Sequence, residues 1–213
     1  MTRVVVLHEL GDPAGGEPWR RALEGVGIGD VVAPDIPGHG AAAPPVGGNY
    51  VRADGGYLLA QLLHDGLDLD DAVLVGVGHS GWIATVAAIG GHCGAVGLID
   101  GLGRPFRPVA DRLARRRQRT RELLADDAAM AVHVGPGPDP RLQYVLEPHG
   151  DQPLAVEAAG LVRVPALVVE PDLDDATAEV VGAFGGPVSV HQAECNHAGA
   201  ADALRTWLDT API

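Results

Sequence analysis

The stretch VLVGVGHSGWIATVAA, residues 73–88, changes character twice along its length. An apolar run with strand character, Val73 to Val77, meets a glycine-flanked polar turn, and an alanine-rich segment that reads as a helix follows. Ser80 stands at the junction. Strand, sharp turn and helix in that order hold a side chain out beyond the end of a sheet.

Working outward, short β-branched runs recur at 3–7, 30–34, 72–77, 95–100, 165–170 and 187–191. Segments with apolar residues at helical spacing separate them, among them EPWRRALEGV, ADGGYLLAQLLHDGL, ATAEVVGAF and AADALRTWLD. Strands alternating with helices predict an α/β chain with a mainly parallel sheet of about six strands, covered by helices on both faces. One region breaks the alternation. From Arg104 to about Leu161 no convincing strand occurs, PVADRLARRRQRTRELLADDAAMAV reads as one or two helices, and GPGPDP reads as a break. The expected organisation is a core of 1–103 and 162–213 with a small helical cap inserted at 104–161. The biased loop GHGAAAPPVGGN has a length that favours a functional or mobile role.

Composition excludes several functions. The 213 residues are 46% hydrophobic and 20% charged, which suits one domain with a sizeable core. A net charge of -13 repels nucleic acid and anionic membranes, so neither is expected as a partner. Every basic residue other than histidine is arginine, which removes lysine Schiff-base chemistry and any phosphate loop ending in Gly-Lys. Cys93 and Cys195 are far apart and lack metal-ligand spacing, so two reduced thiols and no metal are expected. The opening residues run almost directly into a strand without a charged leader and apolar region, and no segment approaches the roughly 20 apolar residues of a membrane span. A cytoplasmic protein acting on a small molecule, without a cofactor, is the expectation.

In an open parallel sheet, ligands bind beyond the carboxyl ends of the strands. The residues there are His8-Glu9-Leu10, Asp35, His79-Ser80-Gly81, Asp100, Asp172-Leu173-Asp174 and Asn196-His197. A serine hydroxyl becomes a nucleophile when a histidine removes its proton, and that histidine needs a carboxylate to fix its tautomer. Ser80, His197 and Asp174 can fill these roles, in the chain order expected when the serine sits on a strand-to-helix elbow. The backbone N–H groups of Gly81 and Leu10 are candidate oxyanion donors.

These segments resemble the α/β-hydrolase family. VVVLHELGD with a following tryptophan is similar to the family's strand and His-Gly loop, VVAPDIPGHG to its Gly-His-Gly passage, and VLVGVGHSG to its elbow. VPALVVEPDLDD resembles the strand that delivers the acid, and AECNHAGAADALRTWL the histidine loop and closing helix. The resemblance implies a serine hydrolase that cleaves a small carboxylic ester or thioester through an acyl-enzyme. It also places the 104–161 insertion where the family carries its cap, and implies that the usual N-terminal hairpin is missing.

Four departures qualify what the resemblance implies. Trp82 replaces the last glycine of the elbow pattern, where close helix packing is expected, so its indole must turn into the pocket or push the helix away. Glu9 replaces the glycine of His-Gly, where a carboxylate repels developing negative charge. Both are candidate pocket-lining residues. Pro171 stands where a glycine usually precedes the acid, and the chain starts at what is commonly the family's third strand. The alternatives are a lyase or proton-transfer enzyme that uses the same residues as a base, and a non-catalytic ligand-binding protein on the same scaffold.

Other readings of individual residues stay open. Ser80 can be a helix cap, His197 a surface histidine, and Asp100, Asp172 or Asp175 can take the place of Asp174. His8 and His39 read as structural, His79 as packing beside the elbow, and Cys195 as packing rather than a thiol nucleophile. The arginines of RLARRRQRTR read as a solvated face, or as a source of one contact to a substrate carboxylate.

Overall fold

The computed structural model describes residues 2–44, 50, 55–131, 137–146 and 150–211. The loop GHGAAAPPVGGN and the GPGPDP break lie partly outside the described residues.

The apolar runs form strands β1 (Val4–Leu7), β2 (Val31–Val32), β3 (Val73–Val77), β4 (Ala95–Ile99), β5 (Ala166–Glu170) and β6 (Val188–Gln192). They build one six-stranded sheet in the order β2-β1-β3-β4-β5-β6. Every pairing is parallel. β1, β3, β4 and β5 are buried along their whole length, which explains why their sequences show continuous apolar residues instead of alternation. The edge strands β2 and β6 are only partly buried.

Alternate residues of the strands feed two cores. On one face Val4, Val6, Val73 and Val75 meet Trp19 and Leu23 of α1 (Glu17–Gly25) and Leu204 and Trp207 of α9 (His197–Leu208). On the other, Val5, Leu7, Leu74 and Val96 meet α2 (Gly55–His64), α3 (Gly81–Ile89), α7 (Gln152–Leu161) and α8 (Asp175–Gly182). Each fully buried Val or Leu side chain contributes about 1.5–3 kcal/mol of burial, so the two faces carry most of the fold's stability.

Between β4 and β5 the chain forms α4 (Val109–Leu124), α5 (Asp127–Met130), α6 (Leu142–Val145) and then α7. α4 buries none of its residues, consistent with its arginine content. α7 differs, because Ala155 and Ala159 join the same core as α3. Aspartates start several of these helices: Asp126 caps α5, Asp151 caps α7 and Asp174 caps α8.

The sheet order reverses at β1, whose neighbours are β2 on one side and β3 on the other. A crevice therefore opens beyond the carboxyl ends of β1 and β3. Glu9 leaves one wall and the turn Gly78–Ser80 leaves the other.

Candidate active site

Two buried histidines hold the loop after β1. His8 accepts from the Ile36 N–H through Nε2 at 3.4 Å, so its Nδ1 carries the proton and donates to the Glu9 carbonyl at 2.9 Å. His39 accepts from the Gly11 N–H through Nε2 at 2.7 Å and donates from Nδ1 to the Ile36 carbonyl. The two rings meet edge to face at 4.8 Å. Burial, with a smaller contribution from His8, depresses the pKa of His39 and favours its neutral form. Both residues are structural, and they fix the direction in which Glu9 leaves the sheet. Leu10 next to it turns its side chain into the core.

The turn after β3 differs from the elbow expected at Ser80. Val77 is still extended, Gly78 takes a positive φ of 53°, and Gly78–Ser80 form one 3₁₀ turn leading into α3. Ser80 has helical dihedrals, φ -70° and ψ -14°. It is wholly buried, and its Oγ donates to the His8 carbonyl at 2.5 Å. The sharp apex thus falls at Gly78, two residues ahead of the serine, and Ser80 faces the floor of the crevice instead of its opening.

Close packing explains this register. A Cβ on Gly76 would stand 2.5 Å from the Ser80 carbonyl oxygen, and one on Gly81 would collide with the Gly101 backbone. Gly76 and Gly81 are therefore the positions where strand and helix backbones touch. Trp82 lies one residue beyond that contact and lines a narrow apolar cleft with Thr85, Leu98, Leu102, Ala155 and Phe184. The Gly81 N–H, expected to serve an oxyanion, is already given to the Gly78 carbonyl of the turn. The sequence held a sign of all this: the misfit of Trp82 disappears when the elbow is read two residues earlier, with Gly76 as its first glycine.

A carboxylate fills the space at the apex. A Cβ on Gly78 would fall on Glu9 Oε2. The His79 backbone N–H donates to both oxygens of Glu9, at 3.3 and 3.1 Å, and the His79 Nδ1 lies 2.5 Å from Oε1. Both side chains are partly open to solvent, 28% for His79 and 34% for Glu9. The expectation that His79 merely packs beside the elbow missed this pairing, because nothing in the local sequence connects residues 9 and 79.

Asp174 and His197 occupy separate surroundings. Asp174 starts α8 by accepting from the Thr177 N–H at 2.8 Å and hydroxyl at 2.7 Å. Its other oxygen faces Arg104 at 3.3 Å. The Thr177 hydrogen bonds, helped by Arg104, hold its carboxyl below the usual range. His197 opens α9 behind the Asn196 cap and packs on Trp19 with ring centroids 4.5 Å apart. Its Nε2 is buried and has no hydrogen-bond partner among the described residues. Among those residues, no hydrogen bond joins any two of Ser80, Asp174 and His197.

Beside this edge lies an ionic cluster that the sequence reading did not single out. Glu170, fully buried at the end of β5, faces Arg104 at 3.4 Å and accepts from the Leu102 N–H. Arg104 also reaches Asp172. Burial, and then the charge of Asp100, pushes the Glu170 carboxyl up to about 7. Asp100 is itself raised, mainly by burial and then by Glu9. Burial pushes the Cys195 thiol up to about 11, so it is a protonated packing residue at neutral pH. Among the described residues no group of three or more His, Cys, Asp or Glu could hold a metal ion, and no helix is long and apolar enough to cross a membrane.

No protein-family model matches the sequence, and no curated protein matches it. Solved structures do. A hypothetical protein of Pseudomonas aeruginosa PAO1 is 16% identical over 98% of this chain and 92% of its own, with a TM-score of 0.67. MenH from S. aureus is 15% identical over 97% and 91%, TM-score 0.63. The enol-lactonase from Burkholderia xenovorans LB400 is 15% identical over 98% and 90%, TM-score 0.59. At these identities the likeness is one of architecture: the chain has the α/β-hydrolase fold.

Proposed function

We propose that the chain is an enzyme of this fold that acts on a small organic molecule by proton transfer, with Glu9 and His79 as its acid–base pair at the crevice between β1 and β3. A lyase or isomerase step that moves a proton to or from carbon is the reaction class this pair serves. The observation that carries the reading is the Glu9 carboxylate standing in the space of the elbow side chain while bonded to the His79 imidazole. A carboxylate that orients an imidazole is the working half of a general base. A carboxylate lying on the main-chain donor that an acyl-enzyme would need opposes build-up of negative charge there. The helices α4, α5 and α6 serve, in this reading, as the cap over the crevice, while α7 belongs to the core.

A second reading keeps ester hydrolysis by Ser80, Asp174 and His197. The chain order of the three and the Nε2 of His197, which has no partner among the described residues, favour it, and an enol-lactonase is among the structural neighbours. It requires Ser80 to leave the His8 carbonyl and reach the opening of the crevice.

Two probes separate these readings. Ring opening of 5-nitrobenzisoxazole reports a general base, and a fluorophosphonate reports an activated serine. The proton-transfer reading expects the first reaction to be accelerated by wild type and lost in Glu9→Gln, with no label from the second. A label on wild type that vanishes in Ser80→Ala establishes the triad instead.

A further inference from the structure

Position 78 has the geometry of a reacting position and no side chain. Its φ of 53° is the left-handed value, strained for any residue with a side chain, that a sharp strand-to-helix turn imposes at its apex. The flanking contacts agree, since Gly76 and Gly81 provide the backbone approaches on either side of it. Ser80 is ruled out as that apex by complete burial and by its bond to the His8 carbonyl. The main-chain N–H that follows the apex belongs to His79, and its two acceptors are the oxygens of Glu9.

We infer that residue 78 is the position from which this chain would present a nucleophile, and that Glu9 masks the vacated site by placing its carboxylate over the oxyanion donor of His79. The protein therefore carries a latent acyl-transfer elbow held closed by its own side chain. Two changes open it: removal of the Glu9 carboxylate and addition of a side chain at 78. Neither Ser80 nor the Gly81 N–H takes part. This goes beyond the proton-transfer reading and does not depend on it, because it concerns where side chains project and not what the native pair does.

Thiol alkylation reads the geometry without requiring turnover. In G78C/E9G the introduced sulfur, as thiolate, displaces iodide from iodoacetamide, forming a C–S bond as iodide leaves with the electron pair and the thiol proton passes to solvent. Peptide mapping distinguishes this thiol from Cys93 and Cys195. The expected result is alkylation at least tenfold faster at position 78 in G78C/E9G than at position 80 in S80C. Equal rates, or a faster S80C, overturn the assignment of the apex.

The masking is tested on E9A alone, which adds no side chain at the strained position. Titration with acetate followed by nitrogen-15 NMR should move the His79 amide resonance in E9A and leave it unmoved in wild type. An unmoved His79 amide in E9A overturns the masking. Failure of 5-nitrobenzisoxazole turnover in wild type, by contrast, would sink only the proton-transfer reading.

Discussion

The Glu9 carboxylate and the His79 imidazole meet at 2.5 Å across the crevice between β1 and β3, although they lie 70 residues apart in the chain. The main-chain N–H of His79 donates to the same carboxylate, so one side chain serves both the ring and the backbone of its partner. Glu9→Gln keeps the shape and removes the charge. The expected outcome is a fall of roughly 100-fold in base-catalysed proton transfer, within the usual range for a positioned acid or base. The melting temperature should hardly move, because a partly exposed carboxylate–imidazole contact contributes only about 0–1 kcal/mol.

Ser80→Ala removes the donor that satisfies the buried His8 carbonyl. Leaving such a group unpaired costs about 1–3 kcal/mol. Urea denaturation should show that loss, while ring opening of 5-nitrobenzisoxazole by the folded variant stays within about twofold of wild type. A loss of turnover without a loss of stability would instead mark Ser80 as a reacting group.

Glu170 should make stability depend on pH near neutrality. Burial raises its carboxyl to about 7, above the ordinary value of 4.5, so the folded state holds the proton more tightly than the unfolded chain does. The stability this group contributes is complete below about 4.5 and is lost as pH rises through about 7. Asp100, raised by burial and then by Glu9, works in the same direction. The melting temperature of wild type should fall between pH 5 and pH 8, and Glu170→Gln should fall less. Parallel curves for the two proteins would show that Glu170 is ionised throughout.

Trp82→Gly tests the register of the elbow. Trp82 lines an apolar cleft and lies beyond the close backbone contact made by Gly81, so glycine there restores no missing packing. The expected result is destabilisation by about 1–3 kcal/mol, since the indole is only half-buried, about 1 kcal/mol of it from glycine in a helix. Nitrophenyl ester hydrolysis should not rise. A rise would place the apex at Ser80 after all.

The order of strands and helices was legible in the sequence because parallel strands buried on both faces must be continuous apolar runs. Each of the six runs, from RVVVL to PVSVH, became a strand of the sheet with its ends within a residue or two of expectation. The rim residues were legible for a related reason, since whatever follows such a strand emerges at its carboxyl end. What local pattern left open was which residue turns the corner after β3. The run GVGHSG contains two admissible placements of a glycine-flanked turn. Choosing between them depends on Gly101, which approaches Gly81 from the end of β4, and on the His8 carbonyl, which captures the Ser80 hydroxyl. Those contacts come from other strands and exist only once the sheet has assembled. The same holds for Glu9: its charge is written in the sequence, but its place over Gly78 follows from two distant loops brought side by side, where the His79 N–H and imidazole both meet its carboxylate.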